Sequence, residues 1–239
     1  MTDEFIDADD AALATLDALL AKGDDEWWNA FYEDRAKPCP FFVAAPDESL
    51  VRWVDAKVIP PGRAIDLGCG HARNAVFLAQ RGFDVDGVDY SRKAIDWAAE
   101  RVEAAGVAVR LRCESVFALD CAPGEFDLVY DSGCFHHLPP HRRRTYVELV
   151  RNLLQPGGWF GLTCFRPEGG SGFTDRDVYE RRSLGGGLGY TEERLRAIWS
   201  HGFEVHDLRQ MAKPADASGL FGVDFLWTLL ARKTLWNAA

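Results

Sequence analysis

The sequence lacks the features of membrane-spanning and secreted proteins. Its 239 residues contain no apolar run of about 20 residues, the length that a membrane-spanning helix needs. The first ten residues, MTDEFIDADD, are acidic, whereas an export signal begins with basic residues. The six cysteines form no Cys-x-x-Cys pair and are too sparse for a secreted disulfide framework. These absences predict a cytoplasmic protein with reduced thiols and no membrane partner.

Basic residues are also in short supply. The chain has 27 Lys and Arg against 37 Asp and Glu, which leaves a formal net charge of −10. A field of this sign repels phosphate backbones, so the composition argues against nucleic acid as a partner. The hydrophobic share of 47% and the charged share of 27% are ordinary for a globular protein. At this length we expect one domain with a sizeable core.

The pattern of apolar residues changes at Pro60-Pro61-Gly62. From there, short apolar runs alternate with longer helical stretches, which predicts an α/β fold with a parallel sheet covered on both faces. The predicted strands are 64–67, 83–88, 107–112, 126–130, 159–165, 203–208 and 223–231. Helices are predicted at 73–80, 92–104 and 140–154, the last closed by the breaker Gln155-Pro-Gly-Gly158, and a further helix is predicted to be capped by Thr191.

Two segments lie outside this alternation. Residues 1–59 are predicted to form a helical N-terminal extension, a lid on the domain at 60–239, because they are too few to bury a core of their own. Its first helix is predicted over the first 22 residues, with Gly23 as its end. Residues 166–190 are rich in glycine and charge and show no periodicity, which predicts a substrate-side loop.

The segment 64–70 carries the chemistry that is easiest to interpret. An apolar strand containing Asp66 runs into Gly68-Cys69-Gly70. Glycine is needed where a backbone turns sharply and a ligand approaches it closely. Asp89 ends the next strand about 20 residues later, where a carboxylate can accept both hydroxyls of a bound ribose. The turn is therefore predicted to hold a ligand that contains a nucleoside.

Residues after the third strand extend this ligand site. Glu114 is placed to border an adenine, and Ser115 and Val116 can offer backbone groups to the base. A dinucleotide fits less well, because Arg73 stands where the Gly-x-Gly-x-x-Gly fingerprint has its third glycine. An NAD-dependent oxidoreductase stays open as an alternative, since it would share the first two glycines and Asp89.

These motifs resemble those of the class I S-adenosylmethionine-dependent methyltransferases over about residues 64–165. The first motif of that family is matched by Asp66-Leu-Gly-Cys-Gly70, and its strand-four motif by residues 125–131. The resemblance implies a Rossmann-like fold with a seven-stranded, mostly parallel sheet, one reversed final strand and helices on both faces. It implies S-adenosyl-L-methionine as cofactor and a small-molecule acceptor with an oxygen, nitrogen or sulfur nucleophile. Residues 68–75 and the aromatic N-terminal segment look most like the thiopurine and tellurite methyltransferase branch.

The resemblance also assigns residues to the cofactor. They are Asp66, Gly68, Cys69, Gly70, Asp89, Tyr90, Glu114, Ser115, Val116 and Asp131. The segment Phe135-His-His-Leu-Pro139 resembles the one that faces the acceptor in small-molecule members of the family.

Catalysis and acceptor binding are predicted from a few further residues. His136 and His137 are candidate bases, because imidazole titrates near neutrality, and Asp131 is a candidate to orient one of them or to polarise the acceptor. Tyr32, Phe41, His136 and Tyr190 are predicted to line the acceptor pocket. The grouping of Cys134, His136, His137 and His141 is a weak candidate for a metal site, and a metal-free mechanism is expected.

Two further functions stay open from sequence alone. A non-catalytic regulatory protein would bind S-adenosylmethionine through the same glycine turn without turnover. A methyltransferase acting on a macromolecule would need an extended docking surface, and the charge of −10 leaves proteins as its possible substrates.

Overall fold

A seven-stranded sheet forms the centre of the protein in the computed structural model, which describes residues 4–20 and 24–235. The strands are β1 (Arg63–Leu67), β2 (Asp84–Asp89), β3 (Val109–Cys113), β4 (Phe126–Ser132), β5 (Leu154–Phe165), β6 (Phe203–Gln210) and β7 (Leu226–Lys233). Their order in the sheet is β3-β2-β1-β4-β5-β7-β6. β1 to β5 pair in parallel, whereas β7 runs antiparallel to both β5 and β6. The mostly parallel sheet with a reversed final strand is confirmed.

Eight helices are present among the described residues. They are α1 (Asp10–Leu20), α2 (Asp24–Glu33), α3 (Glu48–Asp55), α4 (Arg73–Gln80), α5 (Arg92–Ala105), α6 (Arg143–Leu153), α7 (Asp175–Arg181) and α8 (Glu192–Trp199). The end of the predicted first helix and its stop signal, Gly23, lie outside the described residues. None of the described helices is long and apolar enough to cross a membrane.

Two apolar cores cover the two faces of the sheet. One contains residues of α6 and α8, such as Tyr146, and the other contains residues of α3, α4 and α5, such as Trp53. Neighbouring residues of β1 serve different cores, because successive side chains of a strand point to opposite faces: Ile65 packs in the first core and Ala64 in the second. The prediction of helices on both faces is confirmed.

Local capping explains where several helices begin. The Thr191 side chain accepts a hydrogen bond from the amide of Arg194, as predicted for the start of α8. In α7, Thr174 and Asp177 form a reciprocal capping box. This helix lies within residues 166–190, so the prediction of an aperiodic loop was wrong there: seven residues are too few to show a periodic apolar stripe.

The start of β5 also differs from the prediction. The strand begins at Leu154, five residues before the predicted start at Trp159, and it includes the Gln155-Pro-Gly-Gly158 breaker. Leu154 pairs with Phe126 across a register irregularity in β4, which accommodates this turn-like sequence within the strand. The predicted bounds of α4 are the observed ones.

A buried arginine fastens segment 166–190 to the rest of the fold. The fully buried Arg143 donates to Asp175 of α7, with Nη2 2.7 Å from Oδ1, and its Nε lies 3.2 Å from the hydroxyl oxygen of Tyr190. Breaking a buried pair leaves an uncompensated charge, so the bond matters more than a surface ion pair.

We expect Arg143→Met to lower the free energy of unfolding by about 1.5 to 3 kcal/mol, because it removes the buried one of the two arginines that pair with Asp175, the other being Arg194. The matched control is the neighbouring Arg144→Met, whose side chain is 41% exposed and pairs with Asp7, itself 78% exposed. Its cost is expected to be about 1 kcal/mol or less. Urea unfolding followed by circular dichroism measures both, and equal losses would contradict the assignment.

Candidate functional site

The turn after β1 is built from glycines that no other residue can replace. Gly68 and Gly70 have positive φ angles of 68° and 53°. A Cβ atom on Gly68 would lie 2.8 Å from Cβ of Cys134, and one on Gly70 would lie 2.6 Å from the hydroxyl oxygen of Tyr32. The turn therefore needs glycine both for its conformation and for the close approach of its neighbours.

Asp89 lies against this turn, as the sequence predicted. Its Oδ2 accepts a hydrogen bond from the amide of Gly70 at 3.0 Å, and its Oδ1 accepts one from the amide of Ser91 at 2.9 Å. Burial raises the pKa of Asp89 to about 6. The backbone carbonyl of Asp89 also accepts from the amide of Glu114 at 3.1 Å, so the ends of β2 and β3 meet beside the glycine turn.

Four buried carboxyl groups surround the end of the sheet at this turn: Asp47, Asp66, Asp89 and Asp131. The pKa of Asp66 is raised to about 8, mainly by burial; the Arg73 guanidinium lowers it, and the charges of the other three carboxyl groups contribute to the rise. Burial disfavours the ionised form of these carboxyl groups, and a cationic ligand beside them would stabilise that form. A ligand with a sulfonium and an ammonium group fits this environment.

Arg73 and Asn74 connect the glycine turn to the N-terminal extension. Nη2 of Arg73 lies 2.7 Å from Oδ1 of the fully buried Asp47, and Nδ2 of Asn74 donates to Oδ2 of Asp47 at 3.1 Å. The hydroxyl of Tyr130 in β4 donates to the same Oδ2 at 2.6 Å. Sequence reasoning missed this group. The sequence did contain a signal for it, because two polar residues, Arg73 and Asn74, begin α4.

Helix α2 covers the site with one of its faces. Tyr32 approaches Gly70, and Trp28, one turn earlier, packs edge-on against the ring of His137 with centroids 4.8 Å apart. Oδ1 of Asn29 accepts hydrogen bonds from Oγ of Ser91 at 3.0 Å and from the amide of Lys93 at 3.2 Å, which ties α2 to the start of α5. Tyr32 therefore lies over the glycine turn itself.

Phe41 belongs to an aromatic cluster between α2 and the glycine turn. Its ring stacks on Phe31, with centroids 6.0 Å apart, and contacts Phe42 edge-on at 5.4 Å. Its carbonyl oxygen accepts a hydrogen bond from Nε2 of His71, the residue after Gly70, at 2.8 Å. Phe41 is thus held beside the turn by both its ring and its backbone.

Asp131 has a different role from the catalytic one that was predicted. Its Oδ1 accepts from the amides of Gly133 and Cys134 at 3.0 and 2.8 Å. Its Oδ2 accepts from the amide of Phe135 at 3.0 Å and from the hydroxyl of Tyr146. A carboxylate offers about four lone-pair positions, and all of them are used. The fully buried Asp131 shapes the turn after β4 and is not free to polarise an acceptor.

Tyr190 does not line the site, contrary to the prediction. It is fully buried in the main core, where its ring stacks on Phe135 at 5.0 Å. Its hydroxyl accepts from the guanidinium of Arg143. The side chain of Tyr190 therefore faces the core and not the predicted acceptor pocket.

The remaining predicted cofactor residues follow the carboxyl ends of β1, β2 and β3. The amide of Cys69 donates to Val88 in β2 at 2.9 Å. Tyr90 is 38% exposed, beside Asp89. The Ser115 side chain accepts from the amide of Phe117, and the Val116 side chain packs in the core, so their backbones are the parts available to a base. The Glu114 carboxylate pairs with Nε of Arg112 at 2.6 Å.

His136 and His137 follow the turn that Asp131 shapes. The ring of His136 stacks on Phe165 with centroids 3.8 Å apart. The centroid of the His137 ring lies 4.3 Å from that of His136. Burial lowers the pKa of His136 well below its usual value and lowers that of His137 to about 4, so both are neutral at pH 7. His141 is engaged elsewhere, with Asp17 and Tyr179. Residues 4–20 and 24–235 contain no group of three or more His, Cys, Asp or Glu placed to hold a metal.

Comparison with known proteins agrees with this arrangement. Residues 64–158 match the family described as a methyltransferase domain. Over these residues the chain is similar to methyltransferase domains. The chain is 37% identical to an uncharacterized methyltransferase of Synechocystis sp. over 105 residues. This aligned stretch covers 44% of this chain and 48% of that relative. The chain thus spans about half the length of this relative.

Two further comparisons cover more of this chain. It is 27% identical to the 2-heptyl-1-hydroxyquinolin-4(1H)-one methyltransferase of Mycobacteroides abscessus over 185 residues, or 77% of this chain and 76% of the relative. Its fold resembles that of the 1,6-didemethyltoxoflavin-N1-methyltransferase of Burkholderia thailandensis, solved with 1,6-didemethyltoxoflavin and S-adenosylhomocysteine bound. The TM-score is 0.68, the identity is 24%, and 96% and 93% of the two chains are covered. The resemblance to the thiopurine and tellurite branch stays a prediction.

Asp66→Asn is expected to stabilise the ligand-free protein at high pH. The folded chain retains a proton on Asp66 that the unfolded chain loses near pH 3.8, so ionisation of this carboxyl destabilises the fold as the pH rises toward about 8. Asparagine does not ionise. We expect a gain of about 1 to 3 kcal/mol at pH 8 and much less at pH 5, measured by urea unfolding.

The matched control for Asp66→Asn is Asp86→Asn in β2. Asp86 is also buried, but it accepts from Nε of Arg110 at 2.9 Å, so its loss breaks an ion pair and is expected to destabilise the fold. An Asp66→Asn variant that is less stable than the wild type at pH 8 would refute the account of Asp66.

Asp89→Ala is expected to weaken S-adenosylhomocysteine binding by about 1 to 3 kcal/mol, because it removes a charged acceptor placed at the glycine turn. Isothermal titration calorimetry measures the loss. Asp127→Ala is the control. Asp127 also accepts a hydrogen bond from a backbone amide, that of Arg63 at 2.7 Å, but it lies at the start of β4, at the opposite end of the strands from the glycine turn. Similar losses in both variants would argue against a ribose contact.

Proposed function

We propose that this protein transfers a methyl group from S-adenosylmethionine to a small molecule with a flat aromatic or heteroaromatic ring. The observation that carries the proposal is that three elements contact one another beside the glycine turn. The turn at Gly68 contacts Cys134, the His136-His137 segment follows that contact, and Trp28 and Tyr32 of α2 span the distance from His137 back to Gly70.

The cofactor would be held by residues at the carboxyl ends of β1, β2 and β3. The buried carboxyl groups of Asp66 and Asp89 suit the cationic end and the ribose of the cofactor, because a bound cation would stabilise their ionised form, and Glu114 with the backbone of residues 115–116 suits its adenine. S-adenosylmethionine, when bound, supplies an activated methyl group. The chain itself then has to align the acceptor and exclude water.

The acceptor class rests on the side chains that pack together beside the glycine turn. Aromatic rings dominate there: Trp28 from α2, Phe165 at the end of β5, and the two imidazoles, which are neutral at pH 7. Rings of this kind favour flat apolar partners. The relative from Mycobacteroides abscessus and the structure from Burkholderia thailandensis are both named for heteroaromatic acceptors, which supports the same class.

The N-terminal extension, residues 1–59, is proposed to act as a lid on the methyltransferase domain. Tyr32 covers the glycine turn and Asn29 fastens α2 to Ser91, two residues beyond Asp89. A cofactor held between the turn and Asp89 would require α2 to shift before it binds. The cytoplasmic location inferred from composition is part of the same proposal.

The test is turnover with a panel of acceptors. The purified chain is incubated with S-adenosylmethionine and 2-heptyl-1-hydroxyquinolin-4(1H)-one, substituted phenols, heteroaromatic amines and thiols, and S-adenosylhomocysteine and a methylated product are measured by mass spectrometry. We expect product with a ring-bearing acceptor. Thermal shift with S-adenosylhomocysteine and with NADH is run in parallel, because a ligand of the folded state raises its melting temperature.

Each rival function has its own outcome in this test. Stabilisation by NADH and not by S-adenosylhomocysteine would favour an oxidoreductase. Stabilisation by S-adenosylhomocysteine without turnover of any small molecule would favour a regulatory protein or a methyltransferase that acts on other proteins.

A further inference from the structure

The ring of His136 has its hydrogen-bonding direction fixed by the backbone. The amide of Phe165 donates to Nδ1 of His136 at 3.2 Å. A backbone N–H is always a donor, so Nδ1 must carry a lone pair, and the neutral ring then holds its proton on Nε2. Stacking on Phe165 at 3.8 Å keeps the ring in this orientation. His136 therefore presents an N–H donor and has no free lone pair with which to take a proton.

The ring of His137 differs from that of His136 in this respect. Neither of its ring nitrogens has a hydrogen-bond partner among residues 4–20 and 24–235. The ring is placed by contacts alone, edge-on to Trp28 at 4.8 Å and edge-on to Phe165 at 6.1 Å. Its backbone is fixed by the amide of His137, which donates to the carbonyl of Cys134 at 3.0 Å. His137 keeps a lone pair available on a ring that is held in place.

We infer that His137 is the base that takes the acceptor's proton in the methyl transfer proposed above, and that His136 serves only as a hydrogen-bond donor beside it. In this step an oxygen lone pair of a neutral hydroxyl forms the new O–CH3 bond. The S–CH3 bond breaks, and its electron pair stays on sulfur as the thioether. The hydroxyl proton passes to His137 and then to water.

A weak base is sufficient for this step. The neutral state of His137 at pH 7 follows from burial. As the acceptor oxygen becomes alkylated, its proton becomes strongly acidic, so transfer to a neutral imidazole is favourable even when the ring has a low affinity for protons. The inference rests on the proposed function and narrows it: the acceptor is a ring hydroxyl that is protonated at neutral pH, since an acceptor that is already anionic needs no base.

The tautomers can be measured without turnover. In the chain without added ligands, 15N-labelled histidine spectra are expected to show His136 as the Nε2–H form, unchanged between pH 6 and pH 8. Assignment uses loss of the signal in His136→Gln. A proton on Nδ1 of His136 would overturn the division of roles, because His136 would then have a free lone pair on Nε2.

The second test uses two acceptors that differ in ionisation. Pentafluorophenol is ionised at neutral pH, whereas 4-methoxyphenol is protonated. We expect His137→Gln to slow methylation of 4-methoxyphenol by roughly 100-fold and that of pentafluorophenol by less than about threefold. His136→Gln retains a side-chain donor and a side-chain acceptor, so it is expected to slow both acceptors alike, without this dependence on ionisation.

The control variant is His206→Gln in β6, which lies beside Trp159 and outside the site. It is expected to match the wild type on both phenols. Each variant is first titrated with S-adenosylhomocysteine by calorimetry, and unchanged affinity in His137→Gln is required for the kinetic comparison.

The outcomes separate this inference from the function on which it rests. Equal slowing of both phenols by His137→Gln would overturn its role as base. A wild type that binds S-adenosylhomocysteine and methylates neither phenol nor 2-heptyl-1-hydroxyquinolin-4(1H)-one would overturn the hydroxyl acceptor, and the role of His137 with it. A wild type that does not bind S-adenosylhomocysteine would overturn the proposed function itself.

Discussion

Buried carboxyl groups beside a glycine turn are the constraint on which the rest of this site depends. Asp66 and Asp89 lie where three parallel strands end, away from water, and their raised pKa values show how unfavourable their charge is there. A fold retains such groups at a cost in stability, because an unpaired buried charge is expensive. That cost is consistent with a site for a cationic ligand, because the positive charge of the ligand would stabilise the ionised carboxyl groups.

The polar network around Asp47 shows how the site is attached to the chain that covers it. Arg73 stands at the position where a dinucleotide-binding turn has its third glycine, and its guanidinium is used to hold Asp47 of the N-terminal extension. The same carboxylate accepts from Tyr130 in the central strand β4. The extension is therefore anchored to both the turn and the sheet, and α2 lies over the glycine turn.

The two histidines illustrate why chemical identity alone does not assign a catalytic role. They are adjacent in sequence, close together in space and both neutral at pH 7. What separates them is one backbone amide, that of Phe165, which uses the only lone pair of the His136 ring. Asp131 gives the same lesson, because four donors around it leave no acceptor position for a substrate.

The sequence by itself determined the strands, most of the helices between them, the glycine turn and the candidate carboxylate Asp89, because each of these shows in the local pattern of residue types. The alternation of apolar runs predicted α4 to the residue. Only the tertiary structure decided which polar groups are free to act. Asp47, Asp131 and His136 have partners on other elements of the fold, 27, 15 and 29 residues away, and a hydrogen bond between two elements leaves no periodic signal in the sequence.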